Sequence, residues 1–595
     1  MFETGLVSLA CYPIQNTVTE ILYFQRTGPR DSDQTLNSLE RVAAAVGMLD
    51  GAPIEFERVA DVPDGGVLFG LPVLLLYGLL YKSREIFSMP EGFYPLESIF
   101  LLLALMALAR IPSLEALRYL APGEWGKLMG LDRIPEVRTL RQKLGELCSE
   151  RGRAERWSGL LAKQWMESEA QSAGVFYADG HVRLYHGKLT DLPRRYVARE
   201  RLCLRGTTDY WVNAMDGQPF FVVTYPVDPG LLNVLEHNIV PRLKAEVPGQ
   251  PSEQQLEADS LLSRFGIVFD REGYSPKFFA RMKGQHIAVL TYHKYPGEAW
   301  PEQEFKAHPV SLVNGERVSL QLAERGVRLS NNLWVREVRQ RSQSGAQSSI
   351  LSTDYRSDLS RVAAAMFARW CQENFFRYMR QHYNLDRLAE YGVEPLPDTT
   401  RVINPAWRQL DSQIRRQNGL LSRQLVQFAE TQLPQDLEPE QVQAYELSKG
   451  QLQQAIENRR QQIEQLKAQR KAVAKHLQVK DLPEKDRFQQ LRAEKKHFLD
   501  TIKLIAYRAE TALAQLAREK MHRLDDARSL IRQLFRTEVD LIPDQQNKNL
   551  TVRLHPLTTE VHDQVIRYLC EELTSTETVF PGTDLRLIYE IAGSC

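Results

Sequence analysis

The sequence lacks the features that define several common protein classes. Its six cysteines are scattered over 595 residues without a Cys-x-x-Cys pair, which fits neither a disulfide framework nor a zinc module. No phosphate loop of the form GxxxxGK occurs, because the stretch GEWGK is too short. Disulfide-stabilised, zinc-dependent and ATP-driven functions therefore have no sequence support, and a reducing cytoplasm is the expected location.

Long apolar runs and an export signal are also missing. The two most apolar segments, residues 67–81 and 99–109, fall short of the roughly 20 residues that cross a bilayer. The first residues show no charged segment followed by an uninterrupted apolar stretch, so no secretory signal is expected. Both apolar segments are predicted to be buried core helices, and no membrane partner is expected.

Net charge gives no argument for a polyanionic partner. The 75 Lys and Arg residues balance the 75 Asp and Glu residues, so any nucleic-acid contact has to be argued from local patches. The length predicts a multidomain chain of about four domains.

Residues 1–165 are predicted to form a helical N-terminal domain. Pro122 and Gly123 break one short helix, and Pro135 suits the first position of the next, whose apolar residues follow at helical spacing. Short helices joined by tight turns resemble a helix-turn-helix. The last helix carries Arg138, Arg141 and Lys143 on its polar side, which suits either DNA contacts or a solvated basic face.

Residues 166–400 change to short β-rich runs that alternate with helical patterns, which predicts an α/β sheet. Asp179 follows the run GVFYA, and Asp270 ends the run GIVF. Because open α/β sheets gather ligands at strand ends, two carboxylates placed there suit a shared divalent cation. Residues 293–353, with alternating pieces separated by Asn, Gly and Ser, are predicted to be a β-rich insertion.

A long helix is predicted to begin at Ser357 or Asp358, either of which suits a helix cap. Met366, Arg369, Glu373 and Arg380 are spaced three, four and seven residues apart, which places them on one helical face. A carboxylate for a metal beside guanidiniums for phosphate is what phosphodiester chemistry requires. The alternative is that a chain with so many acidic residues places Asp at strand ends by chance.

Residues 401–540 are rich in Gln, Arg, Glu and Lys, with apolar residues at three- and four-residue steps. This pattern predicts long coiled-coil helices. A proline in QVKDLPEKD would let a helix near Phe498 fold back on one near Ile456, although a dimeric coil is also possible. Residues 541–595 are predicted to form a small α/β element.

The combined pattern resembles bacterial DDE transposases of the insertion-sequence type. The order of strands, helices and acids over roughly residues 170–390 is similar to their RNase H-like core. Their helix motif Tyr-x2-Arg-x3-Glu-x6-Lys aligns with Met366, Arg369, Glu373 and Arg380 at every interval. Met366 departs from the family pattern, because a thioether cannot donate the hydrogen bond that a Tyr hydroxyl gives to phosphate.

The resemblance implies a metal-dependent enzyme whose catalytic and metal-binding residues are Asp179, Asp270 and Glu373. It implies two Mg²⁺ or Mn²⁺ ions, contacts from Arg369 and Arg380 to DNA, and an insertion that helps to bind the transposon end. Trp334 in that insertion is either a platform for a flipped base or a core residue. Arg194 and Arg195 belong to a basic stretch after Asp179, which is either DNA-facing or a solvated loop.

The predicted function is therefore that of a transposase that binds inverted-repeat ends, cleaves phosphodiester bonds and joins the 3′-hydroxyl to target DNA. Pairing of two ends implies a homodimer or higher assembly, in the bacterial cytoplasm and on the nucleoid when bound to DNA. One rival is a domesticated or inactive relative that regulates by binding DNA without cleaving it. Another is a coiled-coil scaffold with no salt-sensitive DNA affinity.

Overall fold

The computed structural model describes residues 34–593 apart from residues 50, 171, 198, 226, 313–315, 432–438, 522 and 558. The N-terminal segment, from which no export signal was expected, lies outside the described residues. Among the described helices, none combines the length and the hydropathy that a membrane span requires.

Strands β1–β18 lie, in chain order, at Val59–Val62, Val175–Leu184, Arg194–Val197, Leu202–Asn213, Pro219–Tyr225, Phe265–Phe269, Ile287–Tyr292, Lys306–Ser311, Arg317–Arg328, Trp334–Arg341, Gln347–Ser352, Val393–Glu394, Arg401–Ile403, His476–Gln478, Gln490–Leu491, Val539–Asp544, Asn549–Leu554 and Arg586–Ile591. Helices α1–α18 lie at Gln34–Ala45, Leu71–Leu76, Ser83–Ile86, Leu96–Leu108, Pro122–Lys127, Val137–Leu147, Arg153–Ser168, Leu231–Val234, Val240–Glu246, Glu253–Ala258, Pro276–Lys283, Leu359–Phe367, Arg369–Tyr383, Pro405–Glu430, Pro439–Ala472, Glu494–Arg518, Ala527–Leu534 and Glu560–Ser575. Short 3₁₀ segments lie at Gly65–Gly70, Leu114–Tyr119, Arg271–Gly273, Glu302–Glu304, Val479–Asp481, Glu484–Asp486 and Leu524–Asp526, and a π-helical turn at Leu235–Ile239.

A ten-stranded sheet forms the centre of the chain. Its strand order is β3-β4-β2-β6-β7-β11-β10-β9-β8, and β5 also pairs with β4. The pairs β2/β6 and β6/β7 are parallel, and the neighbouring pairs β2/β4, β4/β5 and β7/β11 are antiparallel. The segment predicted as a β-rich insertion supplies β8–β11, which extend this sheet instead of forming a separate one.

The two ends of the described chain share a second sheet. β1 pairs with β16, and the order continues through β17 and β18. The aromatic pair Phe56 and Phe580 packs edge to face within the same region, with ring centroids 4.8 Å apart. Residues 59–62, in the region predicted to be helical, therefore form a strand that the sequence pattern did not predict, and this strand packs on the C-terminal element.

The helix α16 is the centre of the main hydrophobic core. It packs against α4, α7, α17 and α18, and Phe498 stacks among Phe87, Phe100 and Trp157 with ring centroids 5.1–5.7 Å apart. The predicted pairing of this helix with the one near Ile456 is wrong. Its apolar positions recur on all sides because neighbouring helices surround it.

The helices α14 and α15 pack against each other as an antiparallel pair, which we call the helical hairpin. Arg459 donates to the Gln424 side chain at 2.7 Å, and Arg470 pairs with Asp411 near the opposite end. Ile414, Ile456 and Ile463 are its buried apolar residues. The remaining side chains are largely polar and exposed, as the Gln- and Arg-rich sequence requires.

Candidate active site

The two predicted aspartates occupy equivalent positions of neighbouring parallel strands: Asp179 lies in β2, and Asp270 directly follows β6. Tyr177 of β2 is level with Val268 of β6, so two further residues bring Asp179 level with Asp270. Alternation along a strand places both aspartates on the face that carries Tyr177 and Val268. β2 continues beyond Asp179 and pairs with β4 there, so only Asp270 ends its strand.

The helices α12 and α13 cover this face of the sheet. The Tyr177 hydroxyl donates to the Ala365 carbonyl, and the Gln372 amide donates to the Tyr177 carbonyl at 3.1 Å. Asp358 caps α12 by accepting from the Arg361 backbone N–H at 2.6 Å, which confirms one of the two predicted helix starts. These contacts fix the helix that carries Glu373 above the strands that carry the aspartates.

The predicted single helix is broken at Ala368, which is the C-cap of α12 and the N-cap of α13. Met366 consequently lies on α12 and is buried against Tyr177 and Val268. Arg369, Glu373 and Arg380 lie together on α13. Because Met366 is part of the core, its position in the motif offers no direct contact to a phosphate.

Arg369 connects the helix to the sheet. Its guanidinium pairs with Glu373 one turn later and lies over the Tyr292 ring, 5.8 Å from the ring centroid. Tyr292 lies two residues after Leu290, which is level with Val268 on the neighbouring strand, just as Asp270 lies two residues after Val268. Arg369 therefore stands above the row of residues that contains Asp179 and Asp270.

The electrostatics of the site are set by crowded carboxylates. Burial raises the pKa of Asp179 to about 6, although the Arg369 guanidinium acts in the opposite direction. Asp270 and Glu272 add to this rise, because like charges disfavour ionisation. Burial, together with Asp228 and Asp270, also raises the pKa of Glu272. A cation between these groups would relieve both penalties.

The donor set is chemically suited to a hard divalent metal ion. Asp179 and Asp270 offer carboxylate oxygens, which Mg²⁺ and Mn²⁺ prefer. Glu373 is 55% exposed and pairs with Arg369, so its carboxylate is turned to that cation. In the described part of the chain, the three acidic or histidine side chains whose ligand atoms lie within 4.8 Å of one another are Asp61, Asp540 and His555, which belong to the terminal sheet.

The predicted DNA-binding residues lie in different surroundings. Arg380 is 3.5 Å from Asp386, a carboxylate that also binds His181 and Arg199. Burial opposes ionisation of Asp386, but His181 and the two arginines hold its pKa below the usual range. Arg194 and Arg195 line a cleft beside the sheet edge.

The three predicted contacts of the N-terminal helix differ in exposure. Arg138 is exposed on α6, whereas Arg141 pairs with Glu115. Lys143 donates to the Pro90 carbonyl at 3.1 Å and lies 3.6 Å from Glu146. Two of the three cations, Arg141 and Lys143, therefore already have partners within the chain.

Trp334 is half exposed, with 50% of its surface accessible, so its interpretation as a core residue is wrong. Its ring stacks on Tyr355, with centroids 6.1 Å apart. A methyl group on Gly326 would lie 1.9 Å from the Trp334 ring, so the glycine is needed for this ring to lie flat across β9.

Sequence reasoning missed two carboxylates of the site, Glu272 and Asp228. Glu272 follows Asp270 by two residues in a 3₁₀ turn, and Asp228 lies just beyond β5. Asp228 accepts from the Tyr210 hydroxyl at 2.5 Å and pairs with Arg195 at 2.9 Å. The signal for Asp228 was its position after an apolar strand, the same signal that identified Asp179.

Comparison with known proteins identifies a family for this chain. Residues 34–593 match a protein family described as Transposase protein. The match extends over nearly the whole chain, and the chain belongs to this transposase family, whose members are DNA-processing enzymes. No curated protein matches the sequence.

Proposed function

We propose that the chain is a DDE transposase that cleaves phosphodiester bonds at the inverted-repeat ends of a mobile element and joins the 3′-hydroxyl to target DNA. The observation that carries the proposal is the register of β2 and β6, in which Tyr177 is level with Val268, two residues before Asp179 and Asp270 respectively. The strand order β5-β4-β2-β6-β7, with its two parallel pairs, supports an RNase H-like core. Family membership supports the reaction on DNA.

Asp179, Asp270 and Glu373 are the proposed metal ligands. Two Mg²⁺ or Mn²⁺ ions bound there would activate the attacking oxygen and stabilise the leaving oxygen. Glu373 has to leave its ion pair with Arg369 to join the aspartates. Arg369, once free, can donate to a phosphate of the scissile strand, so one side-chain movement supplies both a carboxylate and a guanidinium.

Proton handling follows from the pKa of Asp179. This pKa is raised to about 6, so the carboxyl holds a proton in part of the population near neutral pH when no cation is bound. Metal binding requires the deprotonated form and therefore releases that proton. Metal affinity is consequently expected to fall as the pH drops through 6.

The assembly and location follow from the reaction. Two transposon ends must be brought together, so we propose a homodimer or a higher synaptic assembly on double-stranded DNA. The bacterial cytoplasm, with binding to the nucleoid, is the proposed location. Arg138, Arg141, Lys143, Arg194, Arg195 and Arg380 remain proposed DNA contacts.

The direct test is Mg²⁺-dependent cleavage of a duplex that carries the inverted repeats flanking the gene. Wild type, Asp179→Asn, Asp270→Asn and Glu373→Gln are compared with Asp525→Asn, which changes an exposed aspartate of another region. We expect the three site variants to lose at least a hundredfold in rate and the control to match wild type. Cleavage at the wild-type rate by Asp179→Asn would refute the proposal.

A second function is favoured by the ion pair between Arg369 and Glu373. If this pair persists on DNA, the third carboxylate is never released, and the chain binds transposon ends as a regulator without cleaving them. The same assay distinguishes the two functions. A regulator binds the duplex but yields no metal-dependent product, with wild type and Asp179→Asn indistinguishable.

A further inference from the structure

A deep cleft lies between the edge of the central sheet and the base of the helical hairpin. The hairpin base comprises residues 401–413 and 475–488. Its volume is about 920 Å³. One wall comes from residues 191–195 and 205, a second from residues 227–233, and a third from residues 401–413 and 475–488. The cleft thus joins chain segments that are up to 297 residues apart in sequence, from Asp191 to Phe488.

The base of the hairpin is held rigidly at this cleft. β13 pairs with β14, so Ile403 is level with His476, and the Asn404 backbone N–H donates to the Lys475 carbonyl at 2.9 Å. Below this ribbon, Val402 and Val479 pack in an apolar cluster that Val227 of the second wall also contacts. The cations of the hairpin base are therefore fixed relative to the sheet.

Positive charge dominates the lining. Eight lysines and arginines line the cleft against four acidic residues. Only two of the arginines have acidic partners there, because Arg205 pairs with Asp191 at 2.5 Å and Arg195 with Asp228 at 2.9 Å. The six cations of the lining without a carboxylate partner among the described residues are Arg194, Arg401, Arg408, Lys475, Lys485 and Arg487.

Two of the cations repel each other across the cleft. The cleft walls partly desolvate Arg408, and this effect, with the nearby Arg195, lowers the pKa of Arg408. Arg195 is paired with Asp228, but Arg408 has no carboxylate partner among the described residues, so its charge is destabilising unless an anion lies beside it. This lining is therefore suited to a ligand that brings several negative charges at once.

One end of the cleft reaches the proposed active site. Glu272 is part of the lining, and its pKa responds to Asp270 as well as to Asp228. Arg195, which pairs with Asp228, interacts electrostatically both with Arg408 and with Glu272. A chain of phosphates that lies along the cleft would arrive beside Asp270.

We propose that the cleft binds the sugar-phosphate backbone of the DNA strand that is delivered to Asp179 and Asp270, with Arg401, Arg408 and Lys475 as its principal phosphate contacts. The substrate assignment rests on the proposed function. Cations contributed by three walls match charges spaced along a polymer better than a single small anion. The hairpin would thereby act as one side of a DNA clamp.

The test measures binding of a fluorescein-labelled duplex by fluorescence anisotropy. EDTA is present so that no cleavage occurs. The variant Arg401→Gln/Arg408→Gln/Lys475→Gln is compared with Arg416→Gln/Arg423→Gln/Arg460→Gln. The control removes the same charge from exposed positions of the hairpin outside the cleft. Circular dichroism and melting curves establish that both variants fold as wild type does.

We expect the cleft variant to lose more than tenfold in affinity at 0.1 M salt and the control to stay within twofold. The plot of the logarithm of the DNA association constant against the logarithm of the salt concentration should become less steep by about 2 to 3. Three phosphate contacts are removed, and each contributes about 0.9 to this slope. Equal losses in the two variants, or no loss in the cleft variant, would overturn the proposal.

Two further measurements distinguish a small anion from duplex DNA as the ligand, and the DNA cleft from the proposed enzymatic function. If millimolar inorganic phosphate binds through Arg401, Arg408 and Lys475 while duplex affinity is unchanged in the cleft variant, the cleft is a small-anion site and the proposal fails. Normal, cleft-dependent binding by a wild type that never cleaves would refute the enzymatic function and leave the DNA cleft standing.

Discussion

The guanidinium of Arg369 donates to the carboxylate of Glu373, one helical turn further along α13. The same guanidinium lies above the Tyr292 ring and acts on the charge of Asp179. One cation therefore couples the helix-borne acid to the strand-borne acids. In this arrangement Glu373 is held apart from the aspartates, and binding of a metal ion or a phosphate would change which partner Arg369 prefers.

Replacement of Arg369 should shift the pH dependence of metal binding. Arg369 lowers the pKa of Asp179, which burial raises to about 6. In Arg369→Gln this opposing influence is lost, so the pKa rises further and Mn²⁺ binding requires a higher pH. Calorimetric titrations with Mn²⁺ between pH 5 and 8 measure the shift. Arg377→Gln, an exposed position of the same helix, should leave the profile in place, and an unchanged profile in Arg369→Gln would contradict the coupling.

Asp179→Asn should stabilise the metal-free protein at pH 8. The pKa of Asp179 is about 6 in the folded chain, against about 3.9 for an unfolded aspartate. The wild-type penalty is absent well below pH 4, where the carboxyl is protonated in both states, grows as the pH rises from about 4 to 6, and stays nearly constant above that range. We expect a gain in unfolding free energy of about 1 to 2 kcal/mol at pH 8, allowing for solvent screening.

The same variant should respond differently to metal ions. Mg²⁺ should raise the melting temperature of wild type and leave that of Asp179→Asn nearly unchanged, because binding to the native state stabilises it. Scanning calorimetry at pH 8 and pH 4, with and without Mg²⁺, gives four melting temperatures for each protein. An equal Mg²⁺ response in both proteins would place the metal elsewhere.

Glu510→Gln should destabilise the fold strongly. Glu510 is fully buried, 2.6 Å from Arg110 and 3.7 Å from Arg528, and it accepts from the Tyr378 and Tyr383 hydroxyls of α13. Burial opposes ionisation, but Arg110 and Arg528 hold the pKa of Glu510 below its usual range. The loss of its charge leaves buried guanidiniums unpaired, so we expect a loss of about 3 to 5 kcal/mol by urea denaturation.

The matched control for Glu510 is Glu577→Gln, which breaks an exposed pair with Arg586. It should cost less than about 1 kcal/mol. Because a depressed carboxyl pKa stabilises the fold above the unfolded value, the wild-type advantage over Glu510→Gln should shrink as the pH falls below 4.5. Similar losses in the two variants at pH 7 would show that the buried network contributes little.

Glu272→Gln should weaken metal binding without abolishing cleavage. Glu272 lies beside Asp270 and raises the pKa of Asp179. Removal of its charge lowers the negative potential that attracts a cation, and we expect roughly tenfold weaker Mn²⁺ binding, as for other groups that support metal ligands. Glu257→Gln, exposed on α10, is the control. Complete loss of cleavage would instead identify Glu272 as a ligand in its own right.

The sequence by itself determined the local features of the site. An apolar strand before Asp179, another before Asp270 and the cap at Asp358 follow from alternation and from capping chemistry, which act over a few residues. The same local rules predicted the β-rich segment and the small α/β element at residues 541–595. The two aspartates were expected to meet because neighbouring strands bring equivalent positions together.

Only the tertiary structure decided which surfaces meet. Periodicity shows that the residues around Phe498 have apolar neighbours, but it does not name those neighbours, so the predicted hairpin partner was wrong. The pairing of Val59 with Leu541 joins residues 482 positions apart, and no local pattern specifies such a contact. The break at Ala368, the exposure of Trp334, and the approach of Arg408 to Arg195 likewise depend on packing between distant segments. Local chemistry fixed the elements and their acids, whereas long-range burial fixed the cleft and the orientation of Glu373.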